Sequence, residues 1–319
     1  MKDVLVLYEH PEWQKPLFAA LEKKRVSFEA FDLKKGAFVA GDLPRAKVIF
    51  NQASPSAYVR GNARAVPLAL SFLKSLEGSG ATVINGAQAF AFELSKTAQA
   101  AVIARLGLRT PRSIAFNDFE ALAARVKNDA SWKWPALLKP EQGGSGARIV
   151  KLSSLDELQA HLKQQGEGIW IPDGVLLLQE YFEHDHEKGI VRVELLGGEL
   201  LYAMRVISHG RYNLCPSPVC NPIDGSDSEH CEIPAPEAVP AKPVEFYAYK
   251  EVPKDAVEGA KRIAAAGGID VGGIEYLESN GERVFYDVNA NSNLRPSIAE
   301  EHGFDPFERV VDYLAKRAR

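Results

Sequence analysis

Residues Phe285-Tyr-Asp-Val-Asn-Ala-Asn-Ser-Asn-Leu-Arg295 read FYDVNANSNLR. In an extended chain alternate side chains share a face, so Asp287, Asn289, Asn291 and Asn293 form one row. Buried and unpaired, one carboxylate and three amides are costly. The row therefore faces open water or something that needs such groups. Upstream, GGIEYLESNGERVFYDV places Asn280-Gly281 between two apolar runs, a hairpin signal. A two-residue turn there makes paired positions sum to an odd number and sets Glu275 and Asp287 on opposite faces. A three-residue loop, Ser279-Asn280-Gly281, with glycine in the left-handed bulge position, pairs Glu278 with Glu282. It brings Glu275, Asp287 and Asn289 to one face. Two carboxylates and an amide oxygen suit magnesium, which binds through one or two carboxylates plus substrate phosphates. The three-residue loop is thus the expectation, against the plain alternative of a solvated hairpin edge.

The composition frames that reading. The chain has 319 residues, 46% hydrophobic and 25% charged, enough for two or three packed units of ordinary globular character. A net charge of -4 and a pI near 6.0 give no electrostatic case for nucleic-acid binding. The start MKDVLVLYEH lacks the features of a signal peptide, and no apolar run approaches the roughly 18 residues of a membrane span. The expectation is a cytoplasmic protein without nucleic-acid or membrane partners, whose three cysteines are thiols.

Along the chain, DVLVLYE, LFAALEKKR, AKVIFNQ, VPLALSFLKSLE and ATVIN alternate β and α character up to about residue 92, which predicts a small doubly wound unit. Ser95 can cap a helix running through TAQAAVIARL to Gly107. Lys96 falls in its first turn, where the helix dipole is already positive, so either it is a solvated lysine or an anion lies nearby. PALLKPEQGGSGARIVKL reads as a strand ending in Lys139, a loop of Glu141, Gly143, Gly144, Ser145 and Gly146, and a second strand. Such a loop is a turn or an anion cradle. It is neither a P-loop nor a dinucleotide fingerprint. GVLLLQEYFEHDHEKGIVRVELLGGELLYAMRV gives a buried strand, a polar turn and a hairpin at Gly197-Gly198. Arg192 and Arg205 lie on its strands, and an arginine in an apolar strand is rarely left without a carboxylate or phosphate.

The order Lys96, LLKPEQGGSGARIV, LLLQEYF, Arg192, Arg205, IEYL and YDVNAN resembles the ATP-grasp superfamily, most nearly its RimK-like carboxylate–amine ligases, over roughly residues 45 to 315. The resemblance implies an α/β and α+β architecture: an N-terminal α/β domain at 1–92, a central subdomain with the glycine-rich lid at 93–182, and a C-terminal subdomain at 183–319. It implies Lys96 and Lys139 on the ATP phosphates and residues Gln179, Glu180, Tyr181 and Phe182 along the adenine. Glu180 would pair with the base edge, and Glu275, Asp287 and Asn289 would hold Mg2+. The activity implied is that of a carbon–nitrogen ligase: ATP phosphorylates a carboxylate and an amine attacks the acyl phosphate. Arg192, Arg205 and Arg295 are then candidates for gripping the substrate carboxylate and the acyl phosphate. Asn291 and Asn293 face substrate, and no general base for the amine is visible. Rival readings are a kinase with a stable phosphorylated product and a non-catalytic ATP-binding protein. The substrates implied are small molecules or peptides; a homo-oligomer is compatible.

Some positions depart from the family pattern. The acid expected two places before Arg192, which reaches the ribose, is Ile190 here, so Glu187 or Asp185 takes that role. The Asn-Leu pair expected after Arg205 falls at Asn213, a substrate candidate, within an insertion at 208–254 that holds 8 of the 19 prolines and all three cysteines. This insertion reads as a substrate cover. His209, Cys215, Cys220, His230 and Cys231 lack the spacing of zinc knuckles, so buried thiols are favoured over zinc. In the first unit Ser54 and Arg60 follow a strand end, where open α/β sheets bind ligands, and are substrate candidates.

Overall fold

Val4-Leu-Val-Leu7 is buried on both sides, as a central parallel strand requires. It belongs to β1 (Lys2–Tyr8), and the structure, a computed structural model, describes residues 1–144, 146–210, 212 and 244–319. After β1 come α1 (Pro11–Lys23), β2 (Phe28–Asp32), β3 (Ala46–Gln52), α2 (Ala65–Gly78), β4 (Val83–Ile84) and α3 (Ala87–Leu94). The strands form a parallel sheet ordered β2-β1-β3-β4. Val4, Val6, Val48 and Phe50 pack towards α1, and Leu5, Leu7 and Ile49 towards α2 and α3. This is the doubly wound unit that the β/α alternation predicts, with one strand more. FEAFD in β2 is a half-exposed edge without the apolar run that marks a buried strand.

α4 (Lys96–Arg105) starts at Ser95, whose hydroxyl accepts the Ala98 N–H at 3.1 Å. It gives way to Gly107 at φ +72°. A four-stranded antiparallel sheet then forms from β5 (Ser113–Phe116), β6 (Ala136–Pro140), β7 (Val150–Leu152) and β8 (Leu176–Glu180), ordered β5-β8-β6-β7. Its helices α5 (Phe119–Lys127) and α6 (Leu155–Gln165) cover Ala136, Leu138, Leu176 and Leu178. Alternation therefore turns Leu137, Lys139 and Gln179 to the opposite face.

The third sheet is antiparallel, ordered β11-β10-β9-β12-β13, from β9 (Ile190–Leu196), β10 (Glu199–Ile207), β11 (Glu245–Ala248), β12 (Val271–Ser279) and β13 (Glu282–Asn289). Val191, Val193, Leu195, Ile274, Phe285 and Val288 pack beneath α7 (Lys254–Gly267) and α4. After α8 (Pro296–Glu301), the last helix α9 (Pro306–Arg317) returns to the first sheet and packs with α1. Among the described residues no helix is long and apolar enough to cross a membrane.

The β12–β13 hairpin corrects the three-residue loop. Its turn is two residues, Asn280 at φ +51° and Gly281 at φ +79°, the left-handed pair of a type I′ turn. Ser279 pairs with Glu282, and Glu278 pairs with Arg283 rather than Glu282. Odd parity runs to Tyr276 opposite Phe285; a register shift then skips Tyr286 and sets Glu275 directly opposite Asp287. A bulge, not the loop, therefore unites the two acids. A second shift lies between Leu200 and Tyr202 of β10, so that Arg192 pairs with Met204.

Asn85, buried at φ +53° after β4, ties the first sheet to the third. Its Nδ2 donates to the carbonyls of Val271 at 2.6 Å and Ala290 at 2.7 Å. Its Oδ1 accepts from the N–H groups of Asp270 at 2.9 Å and Val271 at 3.1 Å. At about 1–3 kcal/mol for each buried group orphaned, Asn85→Ala is expected to remove on the order of 3 kcal/mol of stability or more. Urea denaturation checks this, and a loss below about 1 kcal/mol would contradict the staple.

Candidate active site

Lys139 from the second sheet and Glu275 from the third line one cavity of about 540 Å³, which also reaches Ser54 at the carboxyl edge of the first sheet. At its charged end lie two lysines. Lys96 is buried in the first turn of α4 and donates to Asp287 Oδ1. Burial alone would depress this lysine, but Asp287 outweighs it and raises its pKa. Lys139 donates to Gln179 Oε1 at 2.7 Å. Among the described residues no carboxylate is hydrogen-bonded to it, and burial and then the charge of Lys96 pull its pKa down to about 7.

The metal candidates are adjacent. Burial and then repulsion from Asp287 raise the Glu275 carboxyl. Burial works to raise Asp287 as well, but Lys96 and Lys139 overcome it and hold the carboxyl below its usual range. Asn289 Nδ2 lies 3.4 Å from Glu275 Oε1. Among the described residues no group of three His, Cys, Asp or Glu side chains could hold a metal. Mg2+ does not need one: two carboxylates and an amide oxygen, completed by phosphate oxygens and water, match its hard-ligand chemistry. A buried carboxylate, Glu275, and a part-buried one, Asp287, with Asn289 beside them therefore fit Mg2+.

Arg192 is held in a network. Nε donates to Glu194 at 2.7 Å, Nη1 to Glu275 at 3.3 Å and Nη2 to Ser292 at 2.9 Å; the Ser292 hydroxyl in turn donates to Glu194 at 2.6 Å. Glu194 and Glu275 outweigh burial and hold the guanidinium proton more tightly than usual. Gly273 leaves room for it, since a Cβ there would lie 2.4 Å from Arg192 Nε. Arg295 lines the cavity and stacks on Phe246 at 3.3 Å.

Gly143, Gly144 and Gly146 line the cavity. Their loop reaches the first sheet, where Gln142 Nε2 donates to the Pro55 carbonyl at 3.3 Å and Gly144 abuts Ser56. Gln179, Glu180, Tyr181 and Phe182 also line the cavity, as do Ser54, Asn289, Asn291 and Asn293.

Other expected residues lie off the cavity wall. Arg205 does so because the β10 register shift turns Met204 and Val206 inward; its Nη1 donates to the Lys188 carbonyl at 3.2 Å and it stacks on Tyr249. Glu141 anchors the start of α4 instead, accepting from Ser95 Oγ at 2.6 Å and Thr97 N at 3.1 Å. Arg60 is paired with buried Glu9 and donates to Ser56 at 3.0 Å. Glu187 is exposed, and Asp185 accepts the Glu187 N–H at 3.0 Å; His184 and His186 line the cavity there instead. Ser145, Asn213 and the cysteines lie outside the described residues. Glu93, Glu194, Ser292 and Tyr286 escaped the sequence reading. Only Glu194 had a signal, lying two places from Arg192 on one strand and so on its face.

No protein-family model matches the sequence. Among curated proteins, a probable alpha-L-glutamate ligase of Haemophilus influenzae is 22% identical over 248 residues, 76% of this chain and 70% of that one. A tetrahydromethanopterin:alpha-L-glutamate ligase of Methanosarcina acetivorans is 26% identical over 257 residues, covering 76% and 72%. A solved RimK domain ATP-grasp protein of Sphaerobacter thermophilus superposes with a TM-score of 0.64 at 15% identity, over 98% of each chain. The chain has the ATP-grasp fold and is similar in sequence to these glutamate ligases.

Lys139 carries a pH signature. It titrates near 7 when folded, against an ordinary 10.5, so between those values the unfolded chain binds more protons. Its burial therefore weakens the fold most at low pH, and the penalty fades as pH rises. The stability of the wild type minus that of Lys139→Met should rise from about pH 7 towards 10, measured by urea denaturation. A flat difference would contradict an uncompensated buried lysine.

Proposed function

We propose that the cavity binds ATP with Mg2+ and joins the carboxylate of one substrate to the amine of an amino acid, releasing ADP and phosphate. The observation that carries this reading is the convergence of buried Lys96, Lys139 and Glu275 with part-buried Arg192 and Asp287 on one wall of the cavity. Phosphoryl transfer is mostly positioning and charge neutralisation, which this set supplies without a covalent nucleophile.

In this reading Lys96 and Lys139 hold the phosphates, and adenine lies along Gln179 to Phe182. Glu275, Asp287 and Asn289 would hold Mg2+, which neutralises phosphate oxygens when bound. Lys96 exchanges Asp287 for phosphate as the nucleotide enters. Lys139, poorly compensated without it, gains its anion. The glycine loop, already against Ser56, keeps water from the acyl phosphate. Arg192 faces the transferred group and Arg295 the substrate carboxylate. The names of the curated relatives support an amino acid such as glutamate as the amine.

The test is phosphate release from ATP by the purified protein with pooled amino acids and peptides, with and without Mg2+. Release should need the metal and an amine acceptor, and an amide should appear by mass spectrometry. Asp287→Asn keeps the shape beside Lys96 but loses a charged ligand, so turnover should fall on the order of 100-fold or more in a folded protein. A stable phosphorylated acid as the product would replace the ligase by a kinase. Near-native turnover of the variant would remove Asp287 from the metal site.

A further inference from the structure

Among the described residues, two buried oxygens of cavity-lining side chains have no donor. Glu93, at the end of α3, accepts the Asn291 N–H through Oε1 at 3.0 Å, while its Oε2 has no partner. Asn291 Nδ2 donates to the Gln52 carbonyl at 3.0 Å, while its Oδ1 has no partner. Glu93 is only 4% exposed, and both residues line the cavity. Buried polar atoms are nearly always hydrogen-bonded, so an orphaned pair in a ligand cavity requires a cause. Asn291 Oδ1 is an acceptor, and Glu93 Oε2 is one whenever its carboxyl is ionised, the form that a neighbouring cation favours. An ammonium group brings three donors, and the positive charge that a buried carboxylate needs. The charges acting on Glu93 are Asp287, Arg192 and Lys96, which places it beside the phosphate end.

We propose that Glu93 and Asn291 form the subsite for the ammonium of the amine substrate, and that Glu93 takes a proton from it as the nitrogen attacks. This rests on the ligase reading above. The nitrogen passes one proton to Glu93 Oε2, and the freed lone pair forms the C–N bond at the acyl carbon. The C–O bond to phosphate breaks, phosphate leaves with that electron pair, and the second nitrogen proton leaves with it. Burial, reinforced by Asp287, pushes the Glu93 carboxyl up to about 8. An α-ammonium titrates at about 8 as well, so the transfer is nearly balanced.

Glu93→Gln separates this role from a packing role. The glutamine keeps an acceptor for the Asn291 N–H but takes no proton. Wild type and variant are given ATP, Mg2+ and a pool of free amino acids, dicarboxylic acids and dipeptides at neutral pH, with and without hydroxylamine. Hydroxylamine is uncharged there and attacks without a base. Amide formation by the variant should fall about 100-fold or more, while its hydroxamate yield stays within about threefold of wild type. Amide formed at the wild-type rate would overturn the subsite alone. Amide and hydroxamate falling together would also overturn it, assigning Glu93 to packing or phosphoryl transfer. A wild type that yields neither product would remove the ligase reading, and the subsite with it.

Discussion

The site depends on one irregularity of register, the extra residue at Tyr286. Side chains alternate along a strand, so a perfect hairpin closed at Asn280-Gly281 would send Glu275 and Asp287 to opposite faces. The bulge sets Tyr286 and Asp287, consecutive residues, both on the cavity wall, while Phe285 and Val288 enter the core on either side. The tyrosine is then useful in its own right, since its hydroxyl donates to Glu275 Oε2 at 3.0 Å. One inserted residue thus supplies the second carboxylate and a hydrogen bond that steadies the first.

Around that pair the charges are arranged to be incomplete. Arg192 is shared between Glu194 and Glu275, and Lys96 is matched by Asp287, which leaves Lys139 with the neutral Gln179 amide oxygen. A buried lysine so held loses its proton readily, and a phosphate oxygen restores the balance. The staples made by Asn85 and Gln99 hold this wall in place. Gln99 accepts the Val288 N–H at 3.2 Å and donates to the carbonyls of Phe92 at 3.0 Å and Glu93 at 3.1 Å. They link β13, α4 and the first sheet through side-chain amides that mimic strand pairing.

Much of this was legible in the residues. The Ser95 cap, the Gly197-Gly198 turn, the β/α alternation and the row Asp287, Asn289, Asn291, Asn293 follow from local chemistry. Bulges do not. The shift at Tyr286 brought Asp287 beside Glu275 by a route that the turn residues do not disclose. The shift between Leu200 and Tyr202 turned Arg205 away from the cavity, although the plain two-residue turn at Gly197-Gly198 would have put it on the face of Arg192. Glu141 and Arg60 were misread for a different reason: each has the right chemistry near the right motif, but Ser95, Thr97 and Glu9 occupy it. Glu93 was hidden because its neighbour Asn291 is distant in sequence.

The central claim is that the bulged hairpin places Glu275 and Asp287 on one metal and its phosphates. A crystal structure with Mn2+ and a non-hydrolysable ATP analogue tests it by anomalous scattering. The account predicts a manganese peak at about 2.1–2.2 Å from a carboxylate oxygen of both Glu275 and Asp287, and bonded to a phosphate oxygen of the nucleotide. A metal bound by the phosphates alone, with Asp287 still turned to Lys96, would contradict it.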